Sequence, residues 1–233
     1  MDGSLDAVRK PLERGTEPPP TWKVESSGKL MSQAPLVQII DDDESLRFSL
    51  NSLFRANGLR VRDYGSVTDF LNAPRPNAPG CLVLDIRLPG VNGLDFQARL
   101  ADHGIHLPVV LMTGHGDVPM SVRGMKAGAV DFLTKPFREQ DMLDAVAAAI
   151  ERDRVRLSAE AKDASLRERF ESLSIREQEV MKLVTAGKMN KQVAGQLKLS
   201  EITVKVHRGA VMRKMGARSL ADLIRMAVAL NMR

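Results

Sequence analysis

The clearest structural signal in the sequence is Leu36-Val37-Gln38-Ile39-Ile40-Asp41-Asp42-Asp43-Glu44, a short apolar run followed by four acidic residues. A short run of this kind is typical of a strand that is buried on both faces of a parallel sheet. Four further short runs lie at residues 59–63, 81–84, 109–112 and 130–133. Helix-period segments separate them, near residues 44–56, 67–71, 93–101, 119–127 and from 139 onward. This alternation predicts an α/β domain with a five-stranded, doubly wound parallel sheet.

The rest of the chain predicts three further regions. Residues 1–34 are polar and contain Pro18-Pro19-Pro20, so we expect a disordered N-terminal extension. The α/β domain occupies residues 35–153. Residues 137–186 contain neither proline nor glycine, which indicates a long helix running from the last helix of this domain into a helical linker at 154–172. Residues 173–233 predict an all-α domain of four short helices, whose end signals are Ser174 with Glu177, Gly187, Asn190, Ser200 and Ser219.

Charge is distributed unevenly between the two predicted domains. Residues 35–150 contain 11 Lys/Arg and 14 Asp/Glu, whereas residues 171–233 contain 12 Lys/Arg and 5 Asp/Glu. The basic C-terminal region is therefore the candidate for binding a polyanion. The single cysteine, Cys81, lies in an apolar run and is expected to be a buried thiol. The sequence has no apolar stretch long enough to span a membrane and no signal peptide pattern, so we expect no membrane partner and a cytoplasmic location.

Polar residues follow four of the predicted strands. Strand one ends in the acidic run, strand three in Asp85, strand four in Thr113 and strand five in Lys135. The carboxyl ends of parallel strands meet at one edge of a sheet, so these groups are expected to gather there. Crowded carboxylates need a cation, and an all-oxygen site suits Mg²⁺. Such a site can activate a carboxylate for phosphoryl transfer, with Asp85 on the central strand as the nucleophile and Lys135 and Thr113 contacting phosphoryl oxygens.

Residues 36–153 resemble the receiver domains of two-component response regulators, which have a flavodoxin-like fold. The motifs that carry the resemblance are Ile40-Asp41-Asp42-Asp43-Glu44, Leu84-Asp85-Ile86-Arg87-Leu88-Pro89-Gly90, Met112-Thr113-Gly114-His115 and Lys135-Pro136-Phe137. The resemblance implies that Asp42, Asp85 and the main-chain carbonyl of Arg87 ligate the metal, while Asp41 acts through a bound water. It also implies that Asp85 accepts the phosphoryl group from a sensor histidine kinase.

The same resemblance assigns a switch and a dimerisation surface. Thr113 and Phe132 look like the family's switch pair, and Lys135-Pro136 is expected to be a cis peptide. The segments at residues 113–120 and 126–129 resemble the FixJ-like branch, whose phosphorylated members form homodimers through helix four and strand five. Gly124 is a poor helix former, and we expect it to destabilise helix four by about 1 kcal/mol relative to alanine.

Residues 173–232 resemble the LuxR-type helix-turn-helix of the NarL/FixJ regulators. The motifs are Leu173-Ser174-Ile175-Arg176-Glu177-Gln178-Glu179-Val180, Asn190-Lys191-Gln192-Val193-Ala194 and Thr203-Val204-Lys205-Val206-His207-Arg208. Helical periodicity places Lys205, Val206, Gly209 and Arg213 on the face that enters the major groove of promoter DNA. Lys205 is expected to contact guanine and Val206 a thymine methyl. The remaining candidates are assigned to phosphates or to structural contacts, and they are Lys191, Thr203, Arg208 and Lys214. Gly209 departs from relatives that carry a longer polar side chain there.

Together the two resemblances imply a phosphorylation-dependent transcription regulator, acting as an activator with RNA polymerase as a further partner. It would be a phosphoacceptor rather than an enzyme with an external substrate. Two alternatives remain open at this point. An aspartate-nucleophile phosphatase would use the same chemistry, although Arg87 stands where its second acidic residue is expected. A small-molecule-sensing LuxR-type protein would usually have an aromatic-rich pocket, and this chain has one Trp and one Tyr.

Overall fold

The computed structural model describes residues 34–76, 78–114 and 118–231. Residues 1–33 of the predicted extension, and His115 of one quoted motif, lie outside the described residues. Five parallel strands form one sheet in the order β2-β1-β3-β4-β5. Their bounds are β1 (Leu36–Ile40), β2 (Arg60–Tyr64), β3 (Gly80–Asp85), β4 (Val109–Thr113) and β5 (Asp131–Thr134). The predicted five-stranded parallel sheet is confirmed, and β2 and β5 each begin and end one residue later than predicted.

Nine α-helices occur in the described parts of the chain. Those of the first domain are α1 (Glu44–Ala56), α2 (Val67–Asn72), α3 (Gly93–Ala98), α4 (Val118–Lys126) and α5 (Glu139–Glu171). The C-terminal four are α6 (Ile175–Thr185), α7 (Asn190–Leu197), α8 (Glu201–Met215) and α9 (Leu220–Ala229). Helix α3 is shorter than predicted, because a 3₁₀ turn at Leu100–His103 takes over after Arg99 and ends at the left-handed Gly104.

Apolar side chains cover both faces of the sheet. Alternate residues of β3 point to opposite faces, so Leu82 and Leu84 pack with α2 and α3, while Cys81 and Val83 pack with α1 and α5. All four of these side chains are fully buried. Burial raises the pKa of the Cys81 thiol far above its ordinary value, so this cysteine is structural rather than nucleophilic.

Helix α5 is the predicted long helix, and a buried carboxylate fixes it to the sheet. The Asp153 side chain is fully buried on α5, and its Oδ2 accepts a hydrogen bond from the backbone N–H of Gly80 at 2.9 Å. The Arg156 guanidinium donates to Asp153 Oδ1 from Nε at 2.9 Å and from Nη2 at 2.7 Å. Asp153 is the last buried residue of α5, so the helix leaves the α/β domain at this point.

The C-terminal helices pack around two adjoining apolar clusters. One joins α6, α8 and α9 with the end of α5, and the other joins α6, α7 and α8. The predicted caps are present, since the side chains of Ser200 and Ser219 accept from the third residue of α8 and α9, and Ser174 with Glu177 forms a capping box on α6. None of the helices in the described residues combines the length and apolarity needed to cross a membrane.

Candidate functional site

The polar residues that follow the strands meet at the carboxyl edge of the sheet. The register pairs Ile40 with Leu84 and Asp85 with Met112, so Asp41 and Asp85 lie side by side at the ends of β1 and β3. Carboxylate oxygens of Asp41, Asp42 and Asp85 lie within 4.8 Å of one another. Asp41 and Asp85 are buried, and Asp42 is exposed. The cluster is therefore open to solvent on the Asp42 side.

Lys135 bridges the two buried carboxylates. Its Nζ donates to Asp41 Oδ2 at 2.7 Å and to Asp85 Oδ2 at 2.5 Å. Burial opposes the charge of this ammonium, but its hydrogen bonds to the two carboxylates raise the pKa of Lys135 above its ordinary value. Lys135 is therefore a cation at neutral pH, held against the carboxylate expected to carry the phosphoryl group.

The carboxyl group of Asp41 is held through both of its oxygens. Its Oδ1 accepts from the backbone N–H of Asp43 at 2.8 Å, and Oδ2 accepts from Lys135. Burial nevertheless raises the pKa of Asp41, and the charge of Asp85 adds to this rise. An added cation near this cluster would favour the ionised carboxylates.

These residues fit a hard divalent cation. The three carboxylates supply oxygen donors only, and the exposed position of Asp42 leaves room for water, as Mg²⁺ requires. The backbone N–H of Arg87 donates to Asp85 Oδ1 at 3.0 Å, which keeps the main chain of Arg87 close to the cluster. The candidate ligands are thus Asp41, Asp42, Asp85 and the carbonyl of Arg87.

The proposed switch residues lie on the neighbouring strands. Thr113 is the last residue of β4 and is fully buried, and Phe132 of β5 is partly buried beside Leu111 in the register. Lys135-Pro136 is a cis peptide, as the resemblance implies. Helix α4 passes close to Phe132 at Gly124, where an added Cβ would lie 2.5 Å from Leu111 Cδ1. A larger residue at this position would force the buried Leu111 side chain of β4 to shift, a packing reason for the glycine that the sequence did not reveal.

Sequence reasoning missed one contact of the acidic pocket. Arg47, on α1, donates from Nη1 to the main-chain oxygen of Asp41 at 2.7 Å. Its Nε lies 3.5 Å from Asp63 Oδ2 at the end of β2. Arg47 thus joins the acidic loop to the neighbouring strand. The only signal was a cation one turn into the helix that follows the acidic run.

A second group of predicted residues lies on α7 and α8. Val193 and Ala194 of α7 and Val204 of α8 are buried in one cluster, which fixes the two helices against each other. Lys198, in the left-handed conformation, and the Ser200 cap form the turn between them. This is a helix-turn-helix whose second helix exposes Lys205, Val206 and Arg213 on the side away from the core.

The other predicted DNA contacts have partners within the protein. Arg208 donates from Nη1 to Asn190 Oδ1 at 3.2 Å, and the hydroxyl of Thr203 is 2.8 Å from that of the Ser200 cap. Lys214 donates to Glu177 Oε2 at 2.6 Å and to the main-chain oxygen of Ser172 at 3.2 Å. Of the two alternatives left open for Lys214, these contacts favour the structural one. Lys191 is exposed at the start of α7.

The sequence analysis also missed an exposed residue on the recognition helix. Ile202 is 77% exposed in the first turn of α8, and Gly209 faces open space except for the Arg213 guanidinium, 3.7 Å from an added Cβ. Helical spacing could have placed Ile202 with Val206, four residues later.

Comparison with known proteins identifies both domains. Residues 37–147 match the response regulator receiver domain, and residues 171–227 match the bacterial regulatory proteins of the luxR family. The chain is 55% identical to Nodulation protein W of Bradyrhizobium diazoefficiens over 210 residues, which cover 90% of this chain and 92% of that one. It is 43% identical to the transcriptional regulatory protein FixJ of Rhizobium meliloti over 194 residues, covering 83% and 95%.

Two solved structures cover most of the chain. The response regulator StyR has a TM-score of 0.76 at 44% identity, covering 84% of this chain and 99% of that one. Full-length FixJ from B. japonicum has a TM-score of 0.50 at 38% identity, covering 85% and 98%. Both domains of the chain therefore have counterparts among known proteins. The chain belongs to the two-component response regulators of the NarL/FixJ type, with a receiver domain and a LuxR-type DNA-binding domain.

Proposed function

We propose that Asp85 accepts a phosphoryl group from the phosphohistidine of a sensor histidine kinase, and that the phosphorylated chain binds promoter DNA. The observation that supports this most directly is the contact of Lys135 with both Asp41 and Asp85 at the edge of the sheet. A carboxylate oxygen of Asp85 attacks phosphorus, the P–N bond breaks, and its electron pair returns to the histidine nitrogen. Because Asp85 itself keeps the phosphoryl group, we expect a phosphoacceptor rather than an enzyme that turns over external phosphoesters.

The residues around Asp85 stabilise the charge of the transferred group. The Lys135 ammonium pairs with one phosphoryl oxygen, and the Thr113 hydroxyl donates to another. Asp41, Asp42, Asp85 and the Arg87 carbonyl would hold Mg²⁺, which would neutralise the remaining oxygen charge.

Turning of Thr113 toward the phosphoryl group vacates space that the Phe132 ring can take. Phe132 lies beside α4 at Gly124, so its movement reaches that helix. The outer face of α4 carries an exposed apolar stripe of Val118, Val122 and Met125 at positions i, i+4 and i+7. This stripe supports homodimerisation through α4 and β5 in the phosphorylated state.

In this proposal the basic C-terminal domain binds the promoter DNA. Helix α8 presents Lys205 and Val206 to base edges, with Arg213 on the same face and Lys191 near the phosphates. By analogy with relatives named as transcriptional regulatory proteins, we propose that the bound dimer activates transcription with RNA polymerase. We expect this function in the cytoplasm, where promoter DNA is found.

One experiment tests the proposal. The full-length chain is incubated with Mg²⁺ and a small-molecule phosphodonor, and intact mass, sedimentation and selection of duplexes from random DNA are measured. We expect one phosphoryl group per chain, a shift to dimer and enrichment of a defined sequence. Asp85→Asn abolishes all three changes. Asp43→Asn is the matched control, because the Asp43 side chain caps α1, asparagine caps equally well, and the backbone N–H that contacts Asp41 is retained. Phosphoryl gain by Asp85→Asn contradicts the proposal.

A further inference from the structure

We infer that Ile202 is a second base-reading residue, which together with Val206 recognises the C5 methyl groups of two thymines in the bound DNA. This inference rests on the proposed function, in which α8 enters the major groove. It adds to that function a specificity-determining residue and the chemistry of its target.

Ile202 and Val206 form an exposed apolar pair on an otherwise polar surface. Their exposed fractions are 77% and 65%. Four residues of α-helix turn by about 400°, so the two side chains point in directions only about 40° apart. The buried face of α8 lies on the opposite side and consists of Val204, Val211 and Met215, which are all at most 1% exposed. The pair therefore has no role in the core of the domain.

The charges near Ile202 and Val206 indicate what kind of molecule binds there. Lys205 lies between Ile202 and Val206 in sequence, Arg213 shares their face, and Lys191 stands exposed at the start of α7. The region of residues 171–233 has an excess of basic residues over acidic ones. Exposed Glu201 precedes the pair, but the helix face that the pair shares carries Lys205 and Arg213. An apolar pair beside these cations matches the major groove, where phosphates flank the bases and thymine is the one base with a methyl group.

The spacing of the pair fits two separate bases. Residues four apart are displaced by about 6 Å along a helix, and base pairs stack about 3.4 Å apart. The two side chains can therefore reach methyl groups on different base pairs. The next residue on this face, Gly209, has no side chain, so apolar reading is confined to the first turns of α8. Those turns are the part of a recognition helix that contacts base edges.

Replacement of thymine by deoxyuridine tests the inference, because it removes only the methyl group. The probe is the duplex that the phosphorylated full-length chain enriches from random DNA, with each thymine replaced in turn. For the wild-type chain we expect two positions at which uracil weakens binding by about three- to fivefold, the effect of one lost methyl contact. Ile202→Ala abolishes the uracil effect at one of these positions, and Val206→Ala abolishes it at the other.

Ile175→Ala is the matched control, because Ile175 on α6 is the same residue type with the same 77% exposure. It should leave both uracil effects intact. Tight, sequence-specific binding with no uracil effect at any position overturns the inference while leaving the proposed function standing. An equal uracil effect in Ile202→Ala and wild type also overturns it. Failure to enrich any sequence contradicts the proposed function itself.

Discussion

Glu177 shows how one side chain serves two helices. Its carboxylate accepts from the backbone N–H of Ser174 at 2.7 Å, which completes the capping box of α6. The same oxygen accepts from Lys214 of α8. The hydrogen bond from Lys214 is the largest cause that lowers the pKa of Glu177 below its ordinary value of 4.5, followed by that from Ser174. Folding therefore favours the ionised carboxylate.

This lowered pKa predicts a pH dependence. A group whose pKa is lower in the folded state stabilises the fold above its unfolded pKa, and the contribution is lost as pH falls through the folded pKa. Glu177→Gln keeps a capping side chain but removes the charge, so we expect Tm of the helical domain to fall at pH 7 by roughly 2–4 °C. The difference from wild type should shrink below pH 4.5.

Differential scanning calorimetry of the full chain at several pH values measures this effect. Glu179→Gln is the control, because Glu179 forms only an i,i+3 pair with Arg176, whose side chain is more than half exposed. A Tm difference for Glu177→Gln that is the same at pH 7 and at pH 3.5 would show that the charge is irrelevant.

The positions of residues at strand ends were predictable, and the contacts of long side chains were not. Asp41, Asp85 and Lys135 could be placed together because the parallel register brings strand ends to one edge. The contact of Arg47 with the acidic loop depends on the conformation of a long side chain, which periodicity does not encode. The same limit applies to Lys214, for which the sequence could not separate a phosphate contact from an ion pair.

Helix α4 illustrates a position at which packing overrides helix propensity. Gly124 is buried within the helix, and an added Cβ would meet Leu111 Cδ1 at 2.5 Å and Leu94 Cδ2 at 3.2 Å. Both leucines belong to the core between the sheet and helices α2 and α3. The side chain of Gln97 also donates to the carbonyl of Gly124 at 3.2 Å, which holds α4 against α3. The glycine therefore permits contact that any side chain would push apart.

We predict that Gly124→Ala destabilises the receiver domain. Alanine gains about 1 kcal/mol in helix propensity, but overpacking a full core costs about 1–3 kcal/mol. Denaturant unfolding should show a net loss. Gly195→Ala is the control, because an added Cβ on α7 meets no atom within 4 Å and should stabilise the helical domain. Stabilisation by Gly124→Ala would mean that α4 is loosely packed.

At the scale of whole elements, the sequence predicted the order of strands and helices and most of their bounds. Clear capping residues made this possible, since Ser174, Ser200 and Ser219 each cap a helix as expected. The end of α3 was wrong because its apolar pattern continues through the 3₁₀ turn, and periodicity does not separate the two helix types.

Helix α5 belongs to both domains of the molecule. Its first half packs on the sheet through residues such as Met142 and Val146, down to Asp153. Its last turn joins the helical domain, where Arg169 donates to the main-chain oxygen of Met215 at 3.2 Å. Between these anchors every side chain of residues 159–164 is exposed. Among the described residues, this segment is supported by its own hydrogen bonds and by local ion pairs such as Arg156 with Glu160.

This division predicts a minimum of local stability inside α5. Hydrogen exchange followed by mass spectrometry of the full chain should show protection at residues 159–164 that is about tenfold or more below that at residues 142–150. The segment around Val146 serves as the internal reference, because the Val146 side chain is fully buried against the sheet. Equal protection along the whole helix would show that an unseen contact supports the middle.

The continuous helical backbone of α5 also determines how the linker between the two domains responds to a change in its length. An insertion in a surface loop is absorbed by the loop, but here the backbone continues as helix from Glu139 to Glu171. Each added residue moves the DNA-binding domain by about 1.5 Å and turns it by about 100° relative to the receiver. Additions that complete whole turns, such as seven or eleven residues, nearly restore the original facing. Variants with other insertion lengths should turn α8 relative to the receiver domain while leaving both domains folded.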